Sequence, residues 1–160
     1  MSADNQQERP DERWISGFVD GEGCFHVAIN SLSKMTMKYQ VLPEFRLVQH
    51  ERDIEVLEKI RDFLGVGVVR KNHSDRYELR VRSLKELNVL VDFFERSPLM
   101  TKKKNDFELF KEIIILMNNK EHLTFEGINI IVKKANLMNR QNRKSLSGIL
   151  RDYMPKQLEN

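Results

Sequence analysis

Two carboxylates, Asp20 and Glu22, stand among three glycines in the stretch Ile15-Ser-Gly-Phe-Val-Asp-Gly-Glu-Gly23. Acids this close together can hold a hard divalent cation through oxygen ligands. If residues 12–20 are helical, both acids lie at the helix C-terminus, where the dipole disfavours negative charge and a cation would offset it. Gly17 and Gly21 are four apart, on one side of that helix, and let a second backbone approach closely. Glycine costs roughly 1 kcal/mol against alanine in a helix interior, so two on one face imply a packing reason. Gly21 and Gly23 also permit the chain to leave the helix through conformations closed to other residues. These features read as a metal site at a helix–helix contact. A helix-ending glycine turn with two solvated acids is the plainer reading, and the stretch alone leaves both open.

The elements around this stretch follow from periodicity. Phe25, Val27 and Ile29 alternate with His26, Ala28 and Asn30, which predicts a half-buried strand. Residues 39–48 alternate again, with Val41, Phe45 and Leu47 against Gln40, Leu42, Glu44 and Arg46. Pro43 fits that strand best at an edge or bulge. The polar residues 30–38 make the hairpin loop. Ile54, Leu57, Ile60 and Leu64 recur at helical spacing and Gly65 supplies a stop. A second hairpin is expected from residues 66–71 and 76–81, joined across 72–75. Ser83 and Glu86 form a capping box ahead of a helix that ends at Ser97-Pro98. Helices over 102–117, 125–138 and 145–153 complete the chain. The order αββαββα with further C-terminal helices describes an α+β domain with a four-stranded sheet.

Whole-chain properties narrow the function. A length of 160 residues fits one domain, expected over 13–160 behind a loose arm at 1–12. With 40% hydrophobic and 32% charged residues and no long apolar run, a membrane role is not expected. Cys24 is the only cysteine, which excludes an intramolecular disulfide and a cysteine-cluster zinc site. The polar, acid-containing start is unlike a secretory or transit signal. Net charge is only +3, but basic residues gather at 70–71, 76–82, 102–104 and 127–151.

The sheet face opposite the core should present His26, Asn30, Gln40, Glu44 and Arg46, with Arg70, Asn72, Arg76, Glu78, Arg80 and Arg82. Such side chains read base edges in the major groove: Arg on guanine, Gln or Asn on adenine, Glu on cytosine. An ordinary solvated face uses the same residues. Lys133, Lys134, Arg140, Arg143 and Lys144 would add phosphate contacts.

Residues 15–23 resemble, position by position, the LAGLIDADG signature of the homing endonucleases. The strand order, Gly65-Val-Gly67, the lysine-rich helix start and the basic C-terminal turn extend the resemblance over nearly everything after residue 12. The likeness is to the single-motif, homodimeric endonucleases encoded in group I introns. It implies a saddle-shaped antiparallel sheet on DNA and a dimer formed through the motif helix, with Trp14, Gly17 and Gly21 at the interface. It also implies a long, roughly palindromic double-stranded target cut on both strands, promoting intron mobility.

Carried over residue by residue, Glu22 becomes the catalytic, metal-binding acid and Gly21 adds its carbonyl. Gln49 would position water and Lys102 would stabilise charge on the phosphate. Asp20 is expected to hold the helix end. The implied cofactor is magnesium, with manganese or calcium substituting for binding. Two departures stand out: Arg52 is followed by Asp53 where relatives carry a basic residue, and the second acid is Glu where Asp is usual. The alternatives are an intron maturase, with intron RNA as partner, and a DNA-binding protein that no longer cuts. The implied location is the compartment of the host genome: chloroplast, mitochondrion or bacterial cytoplasm.

Overall fold

A computed structural model describes residues 9–140. Among the described residues five α-helices and four strands run in the order α1 (Glu12–Glu22), β1 (Gly23–Ser31), β2 (Tyr39–His50), α2 (Ile54–Leu64), β3 (Val68–His73), β4 (Arg76–Val81), α3 (Leu84–Arg96), α4 (Lys103–Asn118) and α5 (Phe125–Leu137). The four strands form one sheet in the order β1-β2-β4-β3, and β4 pairs antiparallel with both β2 and β3. This is the α+β, αββαββα arrangement read from the periodicities. The expected helix over 145–153 lies outside the described residues, as do Arg143 and Lys144. No helix of the described residues is long and apolar enough to cross a membrane.

The chain packs as two compact units. The first holds the described residues up to Cys24 together with Phe45–Lys104; the second holds Phe25–Glu44 and the described residues from Asn105 onward. In the first unit Ile15 and Val19 of α1, Phe45 and Leu47 of β2, Leu57 and Ile60 of α2, and Leu79 and Val81 of β4 are all buried. Phe94 of α3 stands 6.2 Å from the Phe45 ring and 5.0 Å from the Phe93 ring. Fully burying one such side chain contributes about 1.5–3 kcal/mol. In the second unit Phe25 sits between Phe107 and Phe110 of α4, at 5.5 and 5.3 Å. Ile128, Ile131 and Val132 of α5 are buried there too.

The local signals act as their chemistry requires. Asp11 caps α1 by accepting the Trp14 N–H at 2.7 Å. Gly65 ends α2 in the left-handed region. The Ser83 hydroxyl accepts the Glu86 N–H at 3.2 Å and stands 2.9 Å from Glu86 Oε2, while Glu86 Oε1 accepts the Gly67 N–H at 3.2 Å. Glu86 therefore ties the cap of α3 to the entrance of β3.

Three expectations change. Glycine freedom is not what Gly21 and Gly23 supply. Helix α1 continues to Glu22, and Gly23 is ordinary extended chain at φ −74°. What Gly23 lacks is room: a Cβ there would fall 2.6 Å from Val19 Cγ1 and 2.9 Å from the Val19 carbonyl. Pro43 is buried within β2, an inner strand of the sheet but one with no β4 partner at that point, so the edge condition is met only locally. It is tolerated because the β2–β4 register begins only at Phe45↔Val81, so no β4 partner awaits its missing N–H. The second hairpin turns more tightly than expected, with β3 running to His73 and Ser74 taking a positive φ of 51°.

Candidate active site

Helix α1 has two unlike sides. Ile15, Ser16 and Val19 are buried, whereas Trp14, Gly17 and Gly21 are exposed. The Trp14 and Phe18 rings stack at 5.1 Å. A Cβ built on Gly17 or Gly21 would meet nothing within 4 Å in this chain. That side is an open strip of backbone flanked by a stacked aromatic pair.

The buried side is held by the segment between α3 and α4. The Ser16 hydroxyl lies 2.8 Å from the Ser97 carbonyl and 2.9 Å from the Ser97 hydroxyl. The Asp20 carboxylate accepts the Met100 N–H at 2.7 Å, the Thr101 N–H at 3.1 Å and the Thr101 hydroxyl at 2.7 Å. Lys103 donates through Nζ to the Val19 carbonyl at 3.0 Å, placing positive charge at the helix C-terminus as the dipole favours. Burial acts to raise the Asp20 pKa. The hydrogen bonds from Met100 and Thr101 and the Lys103 charge outweigh it and hold the carboxyl below its ordinary value.

The two acids thus part company. Asp20 is committed to the 100–101 backbone. Glu22, the last residue of α1, is exposed, and its side chain makes no hydrogen bond or ion pair with the described residues. Beside it, the Gly21 carbonyl belongs to the last helical turn, whose carbonyls lack partners within the helix. A carboxylate and a carbonyl oxygen are hard donors and fit magnesium or calcium. Among the described residues no three His, Cys, Asp or Glu side chains gather into a metal cage.

Gln49 is half-buried near the end of β2, opposite Tyr77. Lys102 is exposed just before α4. Arg52 lies 3.4 Å from the Asp53 carboxylate, so the two residues at the departing position form an exposed ion pair. Sequence reasoning did not find Ser16, Ser97, Thr101 or Lys103. Lys103 had a visible signal, the run of three lysines, but nothing in it says which ammonium turns to α1.

On the first unit's sheet, Arg46 of β2 is opposite Arg80 of β4, which is opposite Val68 of β3; in the next row Val48, Glu78 and Arg70 line up. Then His50 faces Arg76, which faces His73 across a register shift that takes Asn72 out of the ladder. The His50 ring is 3.0 Å from the Asp75 carboxylate. Arg70, Arg76 and Arg82 are exposed and Arg46 and Arg80 half-buried, but Glu78 is only 1% exposed. In the second unit Asn30 is exposed, His26 and Gln40 are half-buried, and Glu44 is buried. Arg140 ends a short turn of 3-10 helix, Met138–Arg140. Asn139 of that turn donates to the Phe25 carbonyl at 2.9 Å.

The model of the LAGLIDADG endonuclease family matches residues 15–114, from the motif helix into α4. This chain belongs to the LAGLIDADG family. It is similar to the probable intron-encoded endonuclease 3 of Neurospora crassa, at 33% identity over 89% of this chain and 27% of that one. Among solved structures it is similar to the homing endonuclease I-TnaI, with 51% identity and a TM-score of 0.87 over 91% of this chain and 99% of that one. It is also similar to the LAGLIDADG homing endonuclease I-SmaMI bound to cleaved DNA, with 29% identity and a TM-score of 0.87 over 92% of this chain and 50% of that one. The chain spans 23–40% of the length of the fungal relatives it matches. The motif residues 15–23 run from within α1 to the first residue of β1, and their two acids are the Asp20 and Glu22 just separated by their surroundings.

Proposed function

We propose that this chain is a site-specific homing endonuclease that cuts both strands of a long, roughly palindromic DNA duplex, as a homodimer using divalent metal. The observation that carries this reading is the division of labour on α1. Glu22 is exposed beside the Gly21 carbonyl while Asp20 is fully engaged, and the Gly17–Gly21 strip is open for a second copy. The match to half of a DNA-bound relative supports the dimer, since two copies amount to one such relative.

In this reading two motif helices meet through Trp14, Gly17 and Gly21, bringing a Glu22 from each chain to the centre of the site. Glu22 and the Gly21 carbonyl would hold the cation. A bound divalent cation, magnesium with manganese or calcium as substitutes for binding, supplies Lewis-acid stabilisation of the phosphate and a more acidic water. Gln49 orients the attacking water. The new bond joins the water oxygen to phosphorus as that water gives up a proton to solvent, the bond to the 3′ oxygen breaks and that oxygen takes up a proton, and Lys102 stabilises the developing charge on the phosphate. The sheet face, with Arg46, Arg70, Arg76 and Arg80, lies along the major groove, and Arg140, Arg143 and Lys144 add phosphate contacts. The enzyme would act in the compartment whose genome carries its intron.

The test is incubation of the purified protein with duplex DNA spanning the intronless insertion site of its host gene, with magnesium or with EDTA. Magnesium-dependent double-strand cleavage at one site is expected. Absence of cleavage together with rescue of intron splicing in vitro would replace the nuclease with an RNA-binding maturase; specific binding without cleavage would leave a DNA-binding protein.

A further inference from the structure

Glu78 is the most deeply buried charged group on a sheet face otherwise rich in exposed arginine, its side chain only 2% exposed. Its Oε1 accepts from Arg70 Nε at 3.0 Å on β3, and its Oε2 lies 4.0 Å from Arg46 Nη1 on β2. Oε2 is buried and has no hydrogen-bond partner among the described residues. A buried carboxylate is costly to desolvate, and an apolar residue is the more stable choice on such a face. Val48 directly beside it and Val68 one row away show that this face accepts apolar side chains. Stability therefore does not account for Glu78.

Orientation does. With Nε of Arg70 held by Glu78, the two Nη groups remain as an end-on fork on a side chain 46% exposed. That fork matches the O6 and N7 acceptors of guanine. Arg46, 35% exposed, flanks the same carboxylate from the other side of β4. An arginine fixed before binding loses less rotamer freedom when it docks. We infer that Glu78 is a positioning residue that fixes Arg70 by a hydrogen bond and draws Arg46 toward it by charge alone, presenting the two as guanine readers, and does not itself contact a base. This rests on the DNA-binding reading above and names the specificity that reading leaves open.

The experiment starts from the duplex that the wild-type chain selects from a random-sequence pool, then measures binding to every single base-pair substitution of it. The wild type should prefer guanine at the two positions in each half-site read by Arg46 and Arg70. E78Q should lower preference about tenfold at those positions and leave discrimination elsewhere unchanged. R70A should erase preference at one of the same positions, and adding E78Q to it should cost nothing further there. If E78Q does not fold, E78D, which keeps the charge but withdraws it by one methylene from Arg70 Nε, carries the test, with the same loss confined to those positions expected. A uniform loss at all positions in E78Q, or an R70A effect where E78Q has none, would overturn the inference while leaving the nuclease standing. A wild-type chain that selects no duplex would sink both.

Discussion

Asp20 takes two hydrogen bonds from one residue, the Thr101 N–H at 3.1 Å and the Thr101 hydroxyl at 2.7 Å. The pair is 81 residues apart in sequence and fixes the end of the motif helix to the start of the α4 segment. D20A should destabilise the fold by about 1–3 kcal/mol, as expected for hydrogen bonds to a charged group at a partly exposed site. Because the folded carboxyl titrates below its ordinary value of 3.8, its contribution is complete above that value and is lost as pH falls through the lower, folded one. Denaturant melts between pH 5 and about 2 should show that slope in the wild type, and D20N should flatten it.

Glu22 should behave in the opposite way. E22Q removes a carboxylate that supports no described hydrogen bond or ion pair, so its thermal midpoint should match the wild type. Cleavage should fall by roughly a hundredfold or more, because the chemistry it recruits is worth several kcal/mol. Full-rate cutting by E22Q in a single-turnover assay would show the assignment to be wrong.

The glycines of the motif divide by the space around them. G21A places a methyl in the open and should raise monomer stability by up to roughly 1 kcal/mol through helix propensity. G21L should leave the monomer folded but abolish dimerisation in analytical ultracentrifugation, and cleavage with it. G23A drives a methyl into Val19 and should cost about 1–3 kcal/mol in a chemical melt.

Neighbouring lysines should separate in the same manner. K103A loses the bond to the Val19 carbonyl and should cost about 0.5–1.5 kcal/mol. K102A, at an exposed site, should leave the melt unchanged and slow single-turnover cleavage. Equal effects of both on the melt would dissolve the distinction.

Much of the fold was readable because burial repeats with the backbone. Phe25 and Val27 alternate, and Leu57, Ile60 and Leu64 follow a helical stripe; all are buried. The motif marked the candidate site, since its acids and glycines are local. The resemblance assigned Asp20 to the helix end, but neither it nor the motif could tell what Asp20 binds there. Its partners are Met100 and Thr101, and no period connects residue 20 to residue 101. The reason for Gly23 was misread for a similar cause: a clash with Val19 depends on where the chain goes after the helix, not on residue type. Alternation put Glu78 among the base readers, because it records the side of the sheet but not the depth. Its burial arises only when β2, β4 and β3 are in register and Arg46 and Arg70 flank it.

One carboxylate shared by two arginines also shapes how such a protein could drift to a new target. Losing Arg70 removes the one hydrogen bond to a buried carboxylate and leaves it only the 4.0 Å approach of Arg46, which is the costly way to break such a pair. Residue 78 must therefore change in step with its neighbours, and lineages that alter their recognition through this part of the sheet should show linked replacements at 46, 70 and 78. Retargeting there would proceed in jumps of several substitutions at once.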